Sequence, residues 1–182
     1  MNNIDFKLRP WSITDAGSLA EYANNYDIAK NMTNAFPHPY TLADAERFIE
    51  MVSKQNPVQV FAIEIEGRAS GGIGLFPQAD IYCKNAEMGY WLAVPFWGKG
   101  IISRAIKKMV DYGFSTWDIN RIYARPYGSN TASQKVLEKS GFKLEARLNG
   151  TIYKLGEFQD ELIYSIRKDT YKSAQSGEIN QP

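Results

Sequence analysis

The chain has 182 residues, enough for one domain of about 100 to 200 residues whose core needs neither disulfides nor metal. Hydrophobic residues at 44% and charged residues at 23% agree with an ordinary soluble globule, and the length argues against a multidomain machine. With 21 Lys and Arg against 20 Asp and Glu the net charge is +1, so no overall field draws the protein onto nucleic acid or an anionic bilayer, and an anionic ligand must be held locally.

In chain order, Phe6, Leu8 and Pro10 alternate with Lys7 and Arg9 and predict a strand; Thr14-Asp15 then caps a helix carrying Leu19, Tyr22 and Ala23. Asn31 to Pro39 reads as a loop, because the prolines of Phe36-Pro37-His38-Pro39 fix φ and oppose helix. Thr41-Leu42-Ala43-Asp44 opens a second helix with a capping box. Three β-rich runs come next, Val58 to Ile65, Ala69 to Phe76 and Ala86 to Leu92, the first two joined by a Glu66-Gly67 turn, and they predict an antiparallel meander. After Gly98-Lys99-Gly100, the spacing of Ile102, Ile106, Met109, Val110 and Phe114 predicts a helix fading near Trp117-Asp118. Arg121 to Arg125 is a strand, Asn130 an N-cap, Val136 and Leu137 the buried side of a helix, and Gly141 its stop. Two last strands lie around Phe142 to Leu148 and Asp160 to Arg167.

The order βααβββαβαββ places the chain in the α/β (α+β) class, with a mixed, mainly antiparallel sheet of about seven strands and helices on both faces. Residues 1–172 are expected to form a single domain and the polar stretch 173–182 a disordered tail; no repeat is present. One cysteine, Cys83, and one histidine, His38, exclude an internal disulfide and argue against a metal centre. The N-terminus lacks a signal peptide's basic start and apolar run, and no membrane span is present, so a cytoplasmic protein is expected.

Two segments carry chemistry. The first, Val94 to Ser103, lies between a strand and a helix, where glycines let backbone approach a ligand and the amides of a helix start suit a diphosphate; the alternative is a plain glycine loop. It is not a P-loop, since Gly100 rather than Ser or Thr follows Lys99. Gly98, Gly100 and Ser103 approximate a dinucleotide fingerprint, but Asp118 precedes a strand instead of ending one. The second segment, Asn130 to Phe142, places Asn130 and Ser133 on one helical face, as a cap and first-turn residue or as a ligand pair.

Taken with Leu8-Arg9-Pro10-Trp11, Asn31-Met32, Phe36-Pro37-His38-Pro39-Tyr40-Thr41 and Glu87-Met88-Gly89-Tyr90-Trp91-Leu92, these segments resemble the GNAT superfamily, in its ribosomal-protein-alanine N-acetyltransferase-like (RimJ/RimL-type) branch, over nearly the whole chain. The resemblance implies an acetyl-CoA-dependent N-acetyltransferase. Its strand at Leu92 and Val94 would splay from the strand Arg121 to Arg125 to admit pantetheine, bonded by free backbone groups. The amides of Gly98, Lys99, Gly100, Ile101, Ile102 and Ser103 would hold the diphosphate, and Asn130 the cofactor arm. The superfamily loop is usually written Q/R-x-x-G-x-G/A; Trp97 and Ile102 depart from it, and Leu137 stands where many members carry an acid tyrosine.

The reaction asks for a free amine, a donor to the oxyanion near Leu92 to Val94, and help for a thiolate whose parent thiol titrates near pH 8.5. Ser133 is the candidate for that sulfur. Glu87 is the candidate base through its likeness to the family's strand glutamate, with Glu157, in the turn before the last strand, or a water as substitutes. Asn31, Met32, Phe36, Tyr153 and Glu157 would form the acceptor site. His38 is read as a loop residue, and Tyr164 and Cys83 as packing residues. The acceptor is a protein N-terminus or a small amine such as a polyamine or aminoglycoside; the chain acts as a monomer or homodimer, and a non-catalytic acyl-CoA-binding module is the rival function.

Overall fold

Arg9 ties the start of the chain to the strand that begins fifty residues later: its guanidinium meets Asp15 at 2.6 and 2.7 Å and Glu64 at 2.5 Å, pinning β1 (Lys7–Pro10) beside β2 (Val60–Ile65), about fifty residues apart in sequence as a strand pair closed across a long loop. This is seen in a computed structural model that describes residues 4–171; the predicted tail at 173–182 lies outside them. Among the described residues there are seven strands, adding β3 (Arg68–Pro77), β4 (Asn85–Leu92), β5 (Arg121–Ala124), β6 (Lys143–Lys154) and β7 (Glu157–Arg167). They join in one sheet of order β1-β2-β3-β4-β5-β7-β6, in which β4 and β5 pair in parallel and β1–β2, β2–β3, β5–β7 and β6–β7 antiparallel. The parallel pair is the one joined by a helical crossover, as an order of strand, helix, strand requires.

The helices given names among the described residues are α1 (Ala16–Ala23), α2 (Tyr26–Ala29), α3 (Leu42–Ser53), α4 (Ile101–Thr116) and α5 (Thr131–Lys139). Asp15 stands at the N-cap position of α1, as expected, but makes no side-chain cap bond there. The side-chain cap lies earlier, where the Ser12 hydroxyl and the Asp15 carboxylate form a capping box around a short 3-10 turn, Ile13–Asp15, with Asp15 also the partner of Arg9. The single turn α2 lies between the predicted first helix and the predicted loop at Asn31 to Pro39, and Asn25 caps it. The predicted box at Thr41 and Asp44 opens α3, Asn130 caps α5, and Gly141 ends it with φ 86.

The described residues fall into two compact units. The first, residues 4–74 and 89–106, is built on Trp11, Leu19, Ile28, Tyr40, Ile49, Val52 and Trp91, with Met32, Phe36 and Phe48 packed against them. The second, residues 75–88 and 107–171, buries Leu75, Met109, Val110, Phe114, Ile122, Leu137, Leu162, Tyr164 and Ile166. There α4 approaches β5 at Gly113, where an added Cβ would lie 2.5 Å from Leu75 and 3.1 Å from Ile122. The buried stripe of α4 begins at Ile101 and Ala105, with Ile102 only half-buried.

Candidate functional site

In the first unit, β4 runs into a 3-10 turn, Val94–Phe96, started by Pro95, and then into Trp97-Gly98-Lys99-Gly100. The turn uses the Phe96 N–H to Ala93 O at 3.0 Å and the Trp97 N–H to Val94 O at 3.1 Å. The Trp97 indole N–H donates to Leu92 O at 2.7 Å, and the Ala93 N–H to Ser70 O at 2.8 Å. Several of the backbone groups expected to be free near Leu92 to Val94 are therefore already engaged. The expectation narrows to those outside the turn, the Val94 N–H among them.

Gly98 and Gly100 have φ 72 and 71, the left-handed region, yet a Cβ on either would meet nothing within 4 Å. Glycine stands there for the path of the backbone and not because the protein crowds it. The first α4 bond runs from the Arg104 N–H to Gly100 O at 3.3 Å, so the amides of Gly100, Ile101, Ile102 and Ser103 precede any partner that the helix itself supplies. The first turns of α3 and α2 carry an acid, Asp44 and Asp27, whereas those of α1, α4 and α5 have none. The positive end of a 16-residue helix is thus left without a carboxylate of its own and with Lys99 beside it, the Lys99 ammonium lying 5.5 Å from the Phe96 ring. Gly98, Lys99 and Gly100 are exposed. Open backbone donors, positive potential and solvent access suit a diphosphate.

The same unit holds the expected acceptor residues Asn31, Met32 and Phe36. The Asn31 side chain donates to Asp27 O at 3.0 Å; Met32 and Phe36 lie half-buried on the core. The Phe36 ring sits 4.9 Å from Tyr40 and 6.0 Å from Trp91, and burial pushes the Tyr40 hydroxyl up to about 12. His38 is an exposed loop residue beside Tyr26, as expected.

The second unit holds Glu87, Asn130, Ser133, Tyr153 and Glu157. Glu87 accepts from Arg125 Nε at 3.0 Å and from the Tyr123 hydroxyl at 3.4 Å, and Arg125 reaches Glu161 at 3.3 Å. Burial, helped by the nearby Glu87 carboxylate, raises Tyr123 above the ordinary phenol, keeping it a hydrogen donor. Burial works against the charged form of Arg125, but the two carboxylates outweigh it and raise the guanidinium further. Sequence alone does not single out Arg125, Tyr123 or Glu161; the polar alternation Arg121, Tyr123, Arg125 is the signal it offers.

The β4–β5 register runs from Asn85↔Arg121 to Glu87↔Tyr123, while β4 itself continues to Leu92. Asn130 Oδ1 accepts from the Ser133 N–H at 3.1 Å, so the capping reading holds and the carboxamide NH2 is the remaining donor for a ligand. Leu137 is fully buried. Tyr164, also buried as expected, donates to Glu138 at 2.9 Å. Tyr153 and Phe158 face each other at the exposed end of the β6–β7 hairpin, ring centroids 5.1 Å apart. Glu157 is the first residue of β7, paired with Lys154, and not in the turn. Cys83 is exposed, which corrects its reading as a packing residue; it lies in a polar-flanked turn between β3 and β4 rather than on a buried strand face. Among the described residues no group of three His, Cys, Asp or Glu is placed to hold a metal, and no helix is long and apolar enough to cross a membrane.

Residues 5–143 match the family described as "Acetyltransferase (GNAT) domain". The uncharacterized N-acetyltransferase p20 of Bacillus licheniformis is 31% identical over 170 residues, 90% of this chain and 93% of the relative. The microcin C7 self-immunity acetyltransferase MccE, solved with acetyl-CoA and AMP, superposes with a TM-score of 0.75 at 28% identity, covering 90% of this chain and 92% of that one. RimL, a ribosomal L7/L12 alpha-N-protein acetyltransferase solved with coenzyme A, shares the fold with a TM-score of 0.79 at 20% identity, covering 90% and 94%.

Proposed function

The chain belongs to the acetyltransferase (GNAT) domain family and is an N-acetyltransferase that moves an acetyl group to an amine, and we propose that this proceeds by direct attack of the amine on acetyl-CoA, without an acyl-enzyme. The observation that carries the reading is the start of α4, where two left-handed glycines and the amides up to Ser103 stand at an exposed loop with no acid to neutralise them. In this reading the amides of Gly98, Lys99, Gly100, Ile101, Ile102 and Ser103 hold the coenzyme's diphosphate, and backbone at Leu92 and Val94 bonds the pantetheine arm. Acetyl-CoA supplies an activated acyl group on a thiol leaving group.

For the proton steps, Glu87 removes the ammonium proton, directly or through water, with Glu157 as the substitute. The Asn130 carboxamide steadies the cofactor arm, and the Ser133 hydroxyl donates to the sulfur as the C–S bond breaks and the C–N bond forms. Asn31, Met32, Phe36, Tyr153 and Glu157 meet the acceptor, a protein N-terminus or a small-molecule amine, in the cytoplasm. An α-amino group near pKa 7.7 to 8.0 needs less deprotonation than a lysine near 10.4, which favours an α-amine at neutral pH.

Calorimetry with acetyl-CoA, followed by thiol release across a panel of peptides, polyamines and aminoglycosides, tests the reading. Binding with release for one acceptor class supports it and names the substrate. Binding with no release from any amine removes the direct-attack mechanism and favours an acyl-CoA-binding module.

A further inference from the structure

We propose that Trp97 is a positioning residue: its indole N–H locks the Leu92–Ala93 peptide and thereby sets the spacing between the end of β4 and the glycine loop. The inference rests on the reading above, that Leu92 to Val94 line the pantetheine arm and Gly98 to Ser103 hold the diphosphate.

The Leu92–Ala93 peptide is held at both ends. Its carbonyl accepts from Trp97 Nε1 at 2.7 Å, and its N–H donates to Ser70 O at 2.8 Å. The strand just before it packs against Gly71, where an added Cβ would sit 2.6 Å from Trp91 O and 3.2 Å from Leu92 Cα. Because a peptide unit is planar and turns as one body, bonds at both its C=O and its N–H fix its orientation. The neighbouring Ala93 carbonyl is taken by the Phe96 N–H at 3.0 Å, which turns the Val94 N–H away from the turn.

Packing does not explain a tryptophan here. Trp97 remains 46% exposed, whereas Trp11 and Trp91 are 5% and 9% exposed. A half-exposed indole gives up much of the apolar burial that ordinarily accounts for tryptophan, and what it retains is a donor at the end of a stiff side chain. That donor bridges the strand end to the residue directly before Gly98. A ligand touching both ends of the bridge senses its loss, and a ligand touching the glycine loop alone does not.

The test compares Trp97→Phe, which keeps a ring and removes the N–H, with Trp97→Gln, which restores an N–H donor at similar reach. Each full-length variant is titrated by calorimetry with coenzyme A and with 3′-phosphoadenosine 5′-diphosphate, which carries a diphosphate but no pantetheine. Trp97→Phe should weaken coenzyme A by roughly threefold to tenfold, the worth of one hydrogen bond, and leave the fragment unchanged. Trp97→Gln should recover most of the loss. Equal weakening of both ligands, unchanged coenzyme A affinity in Trp97→Phe, or equal losses in the two variants would each overturn the role. If the unsubstituted protein bound neither ligand, the coenzyme reading would fall and this inference with it; binding by the unsubstituted protein with an indifferent Trp97→Phe would sink Trp97 alone.

Discussion

Replacing Gly100 by alanine isolates the backbone from every other influence on the loop. The added methyl meets nothing within 4 Å, so no clash contributes; the whole effect comes from φ 71, where an L-residue is disfavoured by roughly 1 to 2 kcal/mol. Two responses are open. If the loop keeps its path, stability falls by that amount, about 2 to 8 °C in Tm for a protein of this size. If the backbone relaxes to negative φ, the amides of Gly100 to Ser103 lose their common aim. Each charge-assisted bond to a diphosphate is worth about 1.5 to 3 kcal/mol, so acetyl-CoA KM rises by roughly 10-fold to 150-fold. Gly67, in the β2–β3 turn, is the matched control: φ 78, open space around its Cβ, and no part in the loop. Steady-state kinetics and thermal melts of Gly100→Ala and Gly67→Ala should show comparable loss of Tm at unchanged KM if the loop keeps its path, and a KM increase in Gly100→Ala alone if it relaxes. Equal KM values without the Tm loss that marks a retained path would refute the amide grip.

Glu87→Gln should lower kcat steeply near neutrality and less at high pH, where the amine loses its proton unaided; an unchanged pH profile would remove Glu87 from the mechanism. Asp15→Asn should destabilise the protein by about 1 to 3 kcal/mol, since Arg9 loses one buried partner and keeps Glu64. Burial alone would raise the Asp15 carboxyl, but the Arg9 hydrogen bonds and the Ser12 amide outweigh it and hold it below the usual range. Its stabilisation is therefore complete above the unfolded value near 3.9 and lost as pH falls through the lower folded value, so Tm of the unsubstituted protein should drop more steeply in acid than that of Asp15→Asn. Parallel acid limbs in thermal melts would contradict this.

Features written by neighbouring residues are legible in the sequence. Thr41 and Asp44 form their box, Gly141 ends α5 at positive φ, and Glu66 and Gly67 take φ 51 and 78, the twist a two-residue hairpin needs. The β6–β7 hairpin is longer than its sequence pattern indicates because its turn, Leu155-Gly156, places leucine at φ 55, a position no composition rule flags. The box at Ser12 and Asp15 has the same spacing as that at Thr41 and Asp44 and is equally local; what the sequence does not show is that Asp15 is also held by Arg9, a tertiary contact. The same limit hides the site's side-chain bonds. Arg125 sits between Glu87 and Glu161 only because of the β4–β5 and β5–β7 pairings, and the Trp97 bond to Leu92 depends on the turn at Val94. The loop itself is readable because glycine spacing and a helix start are local facts.

The buried leucine at position 137 raises the question of whether turnover survives without the acid tyrosine that many GNAT members carry there. Tyr164 does not replace it, since its hydroxyl donates to Glu138. The size of the missing effect decides the matter. A thiol of pKa near 8.5 released as thiolate at pH 7.5 costs about one pKa unit, roughly 1.4 kcal/mol, so protonating it gains about tenfold at that pH and nothing above 8.5. The amine is the harder proton problem, because a lysine-like acceptor near 10.4 is almost wholly protonated at neutrality. Leu137 is thus compatible with turnover, and Ser133 is asked for little. Ser133→Ala, whose backbone N–H still bonds Asn130, should lower kcat by no more than about tenfold at pH 7.5, with the deficit vanishing near pH 9. A loss of two orders of magnitude that persisted at pH 9 in stopped-flow thiol release would mean that Ser133 does more than assist a leaving thiolate.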